Sequence, residues 1–76
     1  MKYDITEQVD KVLQNRFTYH APKDGQQERY VLLREKAKEL AFLIVHNAPQ
    51  SRELSLALTN LEQAIFWVNA SIARNE

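Results

Sequence analysis

The residues best suited to chemistry crowd into one stretch, "RFTYHAPKDGQQERY" from Arg16 to Tyr30, which holds three aromatics, a histidine, several cations and the only glycine of the chain. Phe17, Tyr19 and His20 offer flat rings for stacking, and Arg34 and Lys38, one helical turn apart on the segment that follows, make a short basic stripe for phosphate. Rings beside fixed cations are what a nucleotide ligand needs. From spacing alone an equal reading stands beside it, in which Phe17 and Tyr19 pin the loop to its neighbours and the cations are solvated. Two further positions suit an anion: Ser51 and Arg52, where a helix begins and its N–H groups are free, and Asn69 with Arg74 near its other end. Each has a plainer role, Ser51 as an N-cap and Arg74 as a cation favoured in a last helical turn.

Covalent and metal chemistry find no such footing. His20 and His46 fall on different elements without a second ligand at a recognised spacing, and the chain has no cysteine and no HExxH. No metal or cofactor is expected. Glu35 and Glu39 share a face with Arg34, Lys36 and Lys38 and read as a solvated surface; Ser51, Ser55 and Ser71 have no identifiable base; GxGxxG and P-loop patterns are missing. The expectation is a binding protein, not an enzyme.

Three segments must position these residues. Ile5, Val9, Val12 and Leu13 step by three and four, and Asp4 with Glu7 has capping-box spacing, so a short helix is predicted from Ile5 to Asn15. Pro22 and the pair Asp24–Gly25 then make Phe17 to Asp24 an ordered but irregular connection. From about Gln26, Tyr30, Leu33, Ala37, Leu40 and Ile44 mark a helix of some five or six turns, which "NAPQS" ends. Ser51 reads as the N-cap of a last helix whose seam is Leu54, Leu58, Leu61, Ile65, Val68 and Ile72. The predicted fold is all-α, a single domain over residues 1–76 made of a short helix plus a long antiparallel αα-hairpin.

Size and charge bound what such a fold can do. A chain of 76 residues without cysteine has a thin core and no disulfide or thiolate staple, which leaves oligomerisation as the route to further burial. Ten basic residues match ten acidic ones, so a protein that coats a nucleic-acid polymer is disfavoured. The longest apolar run, Leu40 to Val45, is far short of the roughly 20 residues of a membrane span, and "MKYDITEQ" lacks a signal-peptide stretch. Beyond its seam the last helix carries Leu56, Ala57, Ala64, Phe66, Trp67 and Ala70, more apolar surface than one partner helix covers. Trp67 and Phe66 are therefore expected at an interface between copies, the alternative being that they close the ends of a three-helix core.

The stretches "RFTYHAPKDGQQERY", "LREKAKELA" and "SRELSLALTNLEQAIFWVNASIARNE" resemble the phage anti-defence proteins that sponge cyclic nucleotides, the anti-CBASS sponge family whose helical-hairpin domain is shared with the Thoeris sponges. The likeness runs from about Arg16 to Glu76. It implies a non-catalytic binder that sequesters the cyclic oligonucleotide messengers of bacterial defence in the host cytoplasm, assembled as a compact homo-oligomer, typically a hexamer. By the same resemblance, cyclic dinucleotides bind between protomers, with Tyr19 of "FTYH" and a basic position at or near Arg34 as contacts, to which the basic stripe and the loop add Lys38 and His20. The terminal "ARNE" supplies Arg74 to a separate cyclic trinucleotide site, for which Asn69 and Arg52 are the further candidates. Where the family pattern expects "MWANA" this chain has "FWVNA", so Phe66 and Val68 enlarge the region around Trp67 and bear on ligand size.

A competing reading is a small helical oligomer whose exposed aromatics meet another protein. It accounts for Trp67 equally well but has no use for an aromatic loop beside Arg34 and Lys38. A nucleic-acid binder comes third, given the zero formal net charge.

Overall fold

The computed structural model describes residues 3–76; Met1 and Lys2, the first residues of the predicted domain and of "MKYDITEQ", lie outside them. The described residues form three helices and no strand: α1 (Glu7–Arg16), α2 (Gln26–Asn47) and α3 (Arg52–Asn75). The all-helical expectation holds.

Local chemistry accounts for each boundary. The N-cap of α1 is Thr6, not Asp4: its hydroxyl accepts from the Val9 amide at 3.2 Å, and its carbonyl takes the first helical bond, from the Asp10 amide at 2.9 Å. At the start of α2 the Gln26 amide donates to the Lys23 carbonyl at 3.0 Å, and Gly25 at φ 81° and ψ −14° is the third residue of that turn. These angles are those of a type II turn, which needs a residue without a Cβ there. A Cβ on Gly25 would meet nothing within 4 Å, so Gly25→Ala carries backbone strain alone. It is expected to lower stability by about 1–2 kcal/mol, read as a fall in the urea midpoint at unchanged slope. Ser51 caps α3 as expected: its hydroxyl accepts from the Leu54 amide at 3.1 Å and donates to the Pro49 carbonyl at 3.2 Å. Ser51→Ala should cost about 1 kcal/mol, measured in the same way.

The α2–α3 hairpin contains the one extensive helix–helix contact among the described residues. Its seam is Tyr30, Leu33, Ala37, Ala41 and Ile44 against Leu54, Leu58, Leu61, Ile65, Asn69 and Ile72, all half-buried. Two seam positions of the sequence reading are corrected. Leu40 is 44% exposed and Val68 38% exposed, because a straight seam of period 3.6 takes a step of four from Ala37 to Ala41 and from Ile65 to Asn69.

No hydrophobic residue is fully buried among the described residues; Gln26 alone is, at 2% exposure. The chain measures 51 × 36 × 13 Å, and the last figure is one helix diameter. Its radius of gyration of 17.3 Å compares with about 11 Å for a compact domain of this length. It exposes 6743 Å², where a compact monomer of 8.9 kDa would expose about 4,800 Å². Excess apolar surface is not confined to α3. Leu32, Leu40, Phe42, Leu43 and Val45 point outward on several sides of α2, interspersed with its charged residues, which leaves apolar surface beyond the face that α3 covers. The α1 helix has no buried residue, with Val9 45% and Leu13 40% exposed.

Candidate functional site

One broad groove runs along the hairpin between α2 and α3, with a volume of about 670 Å³. From α2 it is lined by Arg34, Ala37, Lys38 and Ala41, and from α3 by Thr59, Glu62, Phe66 and Asn69 over a floor of Leu58, Leu61 and Ile65. Helical geometry explains the set. Arg34 and Lys38 sit one turn apart, just off the Leu33–Ala37–Ala41 seam, so both cations overhang the same edge, and Phe66 and Glu62 repeat the arrangement across from them. The groove thus combines an apolar floor, two cations, a carboxylate and a ring.

Sequence reasoning grouped these residues differently. Arg34 and Lys38 line one groove, and Asn69, a residue the sequence reading placed with Arg74 and Arg52, lines it with them. Asn69 Oδ1 is buried without a hydrogen-bond partner, a cost that a donor from a ligand or a neighbouring chain would relieve. Phe66 borders the groove, whereas Trp67, one residue and about 100° further round α3, does not, so the two aromatics expected at one interface face different ways. Glu62 went unnoticed because one carboxylate on a charged helix carries no motif.

Tyr19 and His20 do not line the groove. Tyr19 stands 84% exposed on the connection before α2, with Phe17 at 83%, so neither ring pins the loop. The half-buried His20 donates from Nε2 to the Asn15 carbonyl at 2.8 Å, satisfying one of the open carbonyls at the end of α1 and assigning the proton to Nε2. Arg52 and Arg74 begin and nearly end α3, about 33 Å apart at 1.5 Å per residue. One chain cannot bring them to the same ligand. Among the described residues no group of three or more His, Asp or Glu side chains is placed to hold a metal, and no helix is long and apolar enough to cross a membrane.

The end of the hairpin beside the loop holds a polar cluster that sequence reasoning missed. The Glu76 carboxylate takes a two-pronged hydrogen bond from Arg29, through Nη1 to Oε2 at 2.8 Å and through Nη2 to Oε1, and a third from Gln26 Nε2 at 3.2 Å. Lys23 Nζ donates to a main-chain oxygen of the same residue. The Arg29 and Gln26 hydrogen bonds, helped by the positive charges of Arg29 and Lys23, pull the Glu76 carboxyl down from 4.5 to about 2. Because the folded value is the lower one, whatever stability the clasp contributes is complete above about pH 5. It is lost as the pH falls from the ordinary value of 4.5 towards 2. The pair is nearly half exposed, so the effect is modest. In an acid titration followed by circular dichroism, Glu76→Gln is expected to flatten the stability change across that window and leave neutral stability lower than wild type.

No curated protein matches the chain, and no solved structure matches it. A family model does, described as Acb2/Tad1, hairpin domain, over residues 10–73. The matched span takes in α2, the groove and almost all of α3, and it begins within α1, earlier than the Arg16 at which the sequence motifs begin. With most of its length covered, and with the motifs of the anti-CBASS sponges on the same helices, the chain belongs to the Acb2/Tad1 hairpin-domain family.

Proposed function

We propose that this protein is a phage sponge that binds cyclic oligonucleotide messengers without cleaving them, keeping them from the effectors of CBASS defence in the host cytoplasm. The family match over residues 10–73 carries the reading, because it spans the hairpin that bears the groove. Cyclic dinucleotides are assigned to Arg34 and Lys38 for phosphate, with Asn69 and Glu62 available to base N–H groups, and with Tyr19 and His20 delivered to the ligand by a second protomer. A cyclic dinucleotide has two like halves, so a two-fold interface can present the same ring and cation to each. Cyclic trinucleotides are assigned to Arg74, with Arg52 reaching such a ligand only from another chain.

The assembly is part of the proposal. The chain exposes about 1,900 Å² more than a compact monomer of its mass, the order of area that obligate interfaces bury, and most of the exposed apolar residues lie on α2 and α3. A homohexamer would cover several faces of α2 at once. Light scattering on the ligand-free protein is expected to show the oligomer at micromolar concentration; a monomer there would overturn this part.

Calorimetry against a panel of cyclic di- and trinucleotides tests the binding. Ligand recovered after long incubation and denaturation should be the same cyclic species, and linear product forming in proportion to protein would favour a phosphodiesterase instead. The exposed Trp67, turned away from the groove, favours a second reading, a helical module that meets another protein. Purified protein that releases no acid-soluble nucleotide on denaturation, and binds none of the panel, would favour that module.

A further inference from the structure

The cluster around Glu76 has the chemistry of a phosphate site with an internal tenant. Three side chains from one short segment converge on Glu76: Arg29 and Gln26 hold its side-chain carboxylate, and Lys23 a main-chain oxygen of the same residue. The site is built in advance: Gln26 is the one buried residue among the described residues, 2% exposed, and its Oε1 is tied to the Lys23 amide at 2.9 Å, which leaves Nε2 as the donor facing Glu76. Arg29 is anchored as well, its Nε donating to the Gly25 carbonyl at 3.4 Å while both terminal nitrogens hold the Glu76 carboxylate. A guanidinium fork, an ammonium and a buried amide form a donor set matched to a tetrahedral oxyanion, and phosphate accepts the two-pronged arginine contact as a carboxylate does.

Glu76 is also a tenant that can leave. Its side chain is 41% exposed and that of Arg29 is 47% exposed, so the pair is screened by water and its grip is weak. Inorganic phosphate or a nucleotide's phosphate monoester, carrying close to two negative charges, has more to gain from the same cations than a carboxylate with one.

We propose that Lys23, Gln26 and Arg29 form a phosphate-binding site, separate from the Arg34–Lys38 groove, that the Glu76 carboxylate occupies until a phosphate group displaces it. The site does not rest on the sponge reading. The phosphate can be free or can belong to a nucleotide, and the two sources recognise the same donors.

The test follows the Gln26 side-chain amide and the Arg29 Nε–H by NMR while inorganic phosphate, and separately AMP, is titrated into the full chain. Phosphate should shift both signals, Glu76→Gln should tighten its binding by about two- to sixfold by removing a weakly held competitor, and Arg29→Ala should abolish the response of the Gln26 amide. Shifts with inorganic phosphate alone identify free phosphate as the occupant, and shifts with AMP that also tighten in Glu76→Gln identify a nucleotide phosphate; either result supports the site. Unchanged phosphate affinity in folded Glu76→Gln, or a response that survives Arg29→Ala, overturns it and leaves a structural clasp. Should Glu76→Gln fail to fold, the wild-type chain decides: phosphate must move the Glu76 carboxyl ¹³C resonance together with the Gln26 amide, and a Glu76 signal that stays in place overturns the proposal.

Discussion

Tyr19→Ala is expected to remove measurable cyclic dinucleotide binding while leaving the assembled protein intact. The ring is 84% exposed and caps no contact of its own chain, so truncating it should barely alter stability. Against a ligand the loss is large: a stacked ring contributes about 1–3 kcal/mol per base, and two symmetry-related copies acting independently about double that, a fall of roughly thirtyfold to beyond ten-thousandfold in affinity. Arg74→Ala serves as the counterpart, expected to spare dinucleotides and to weaken any trinucleotide binding by about 1.5–3 kcal/mol per charged hydrogen bond removed. Calorimetry with both ligand classes reads both variants. Equal damage to both ligands by both variants, in protein of unchanged size by light scattering, would replace two sites by one.

Trp67→Ala is expected to dissociate or strongly weaken the assembly. In the single chain Trp67 is 68% exposed, and on that count alone its removal would change stability by less than about 0.5 kcal/mol. Buried between protomers, the same truncation costs about 3–5 kcal/mol at each copy, typical of an aromatic anchor. The two cases differ by enough to be told apart from the concentration at which sedimentation shows half dissociation. A variant that assembles like wild type would place Trp67 on a free surface and favour a role in meeting another protein.

Much of the fold was legible because its signals are local. Pro22, Gly25, Pro49 and Ser51 act on their own backbone, so the irregular connection, the start of α2 and the cap of α3 were readable residue by residue. The first cap was misplaced by two residues because Asp4 and Glu7 imitate a capping box, while Thr6 stands nearer the helix and bonds Val9 instead. The seam drifted to Leu40 and Val68 because a stepping rule prefers the bulkiest neighbour, whereas the helix turn selects the residue on the line, here Ala41 and Asn69. The site was legible only in part, for a different reason. Arg34 and Lys38 share one helix, so their spacing announces them, but the arrival of Asn69, Glu62 and Phe66 opposite them depends on the register between two helices. Glu76 meets Arg29 across 47 residues of chain, a pairing that no window along the sequence contains.

The slab shape has a consequence for how the molecule comes into being. A layer 13 Å thick has no interior to collapse around, so under the proposed assembly the step that removes most apolar surface from water is an encounter between chains. Refolding from denaturant should therefore contain a phase whose rate rises in proportion to protein concentration, preceded by fast helix formation that does not. The midpoint of thermal unfolding should climb with concentration in the same way. For a chain that assembles as proposed, the quantity synthesised early would decide how soon any of it becomes functional, and a dilute population would remain longer as separate hairpins exposed to proteases.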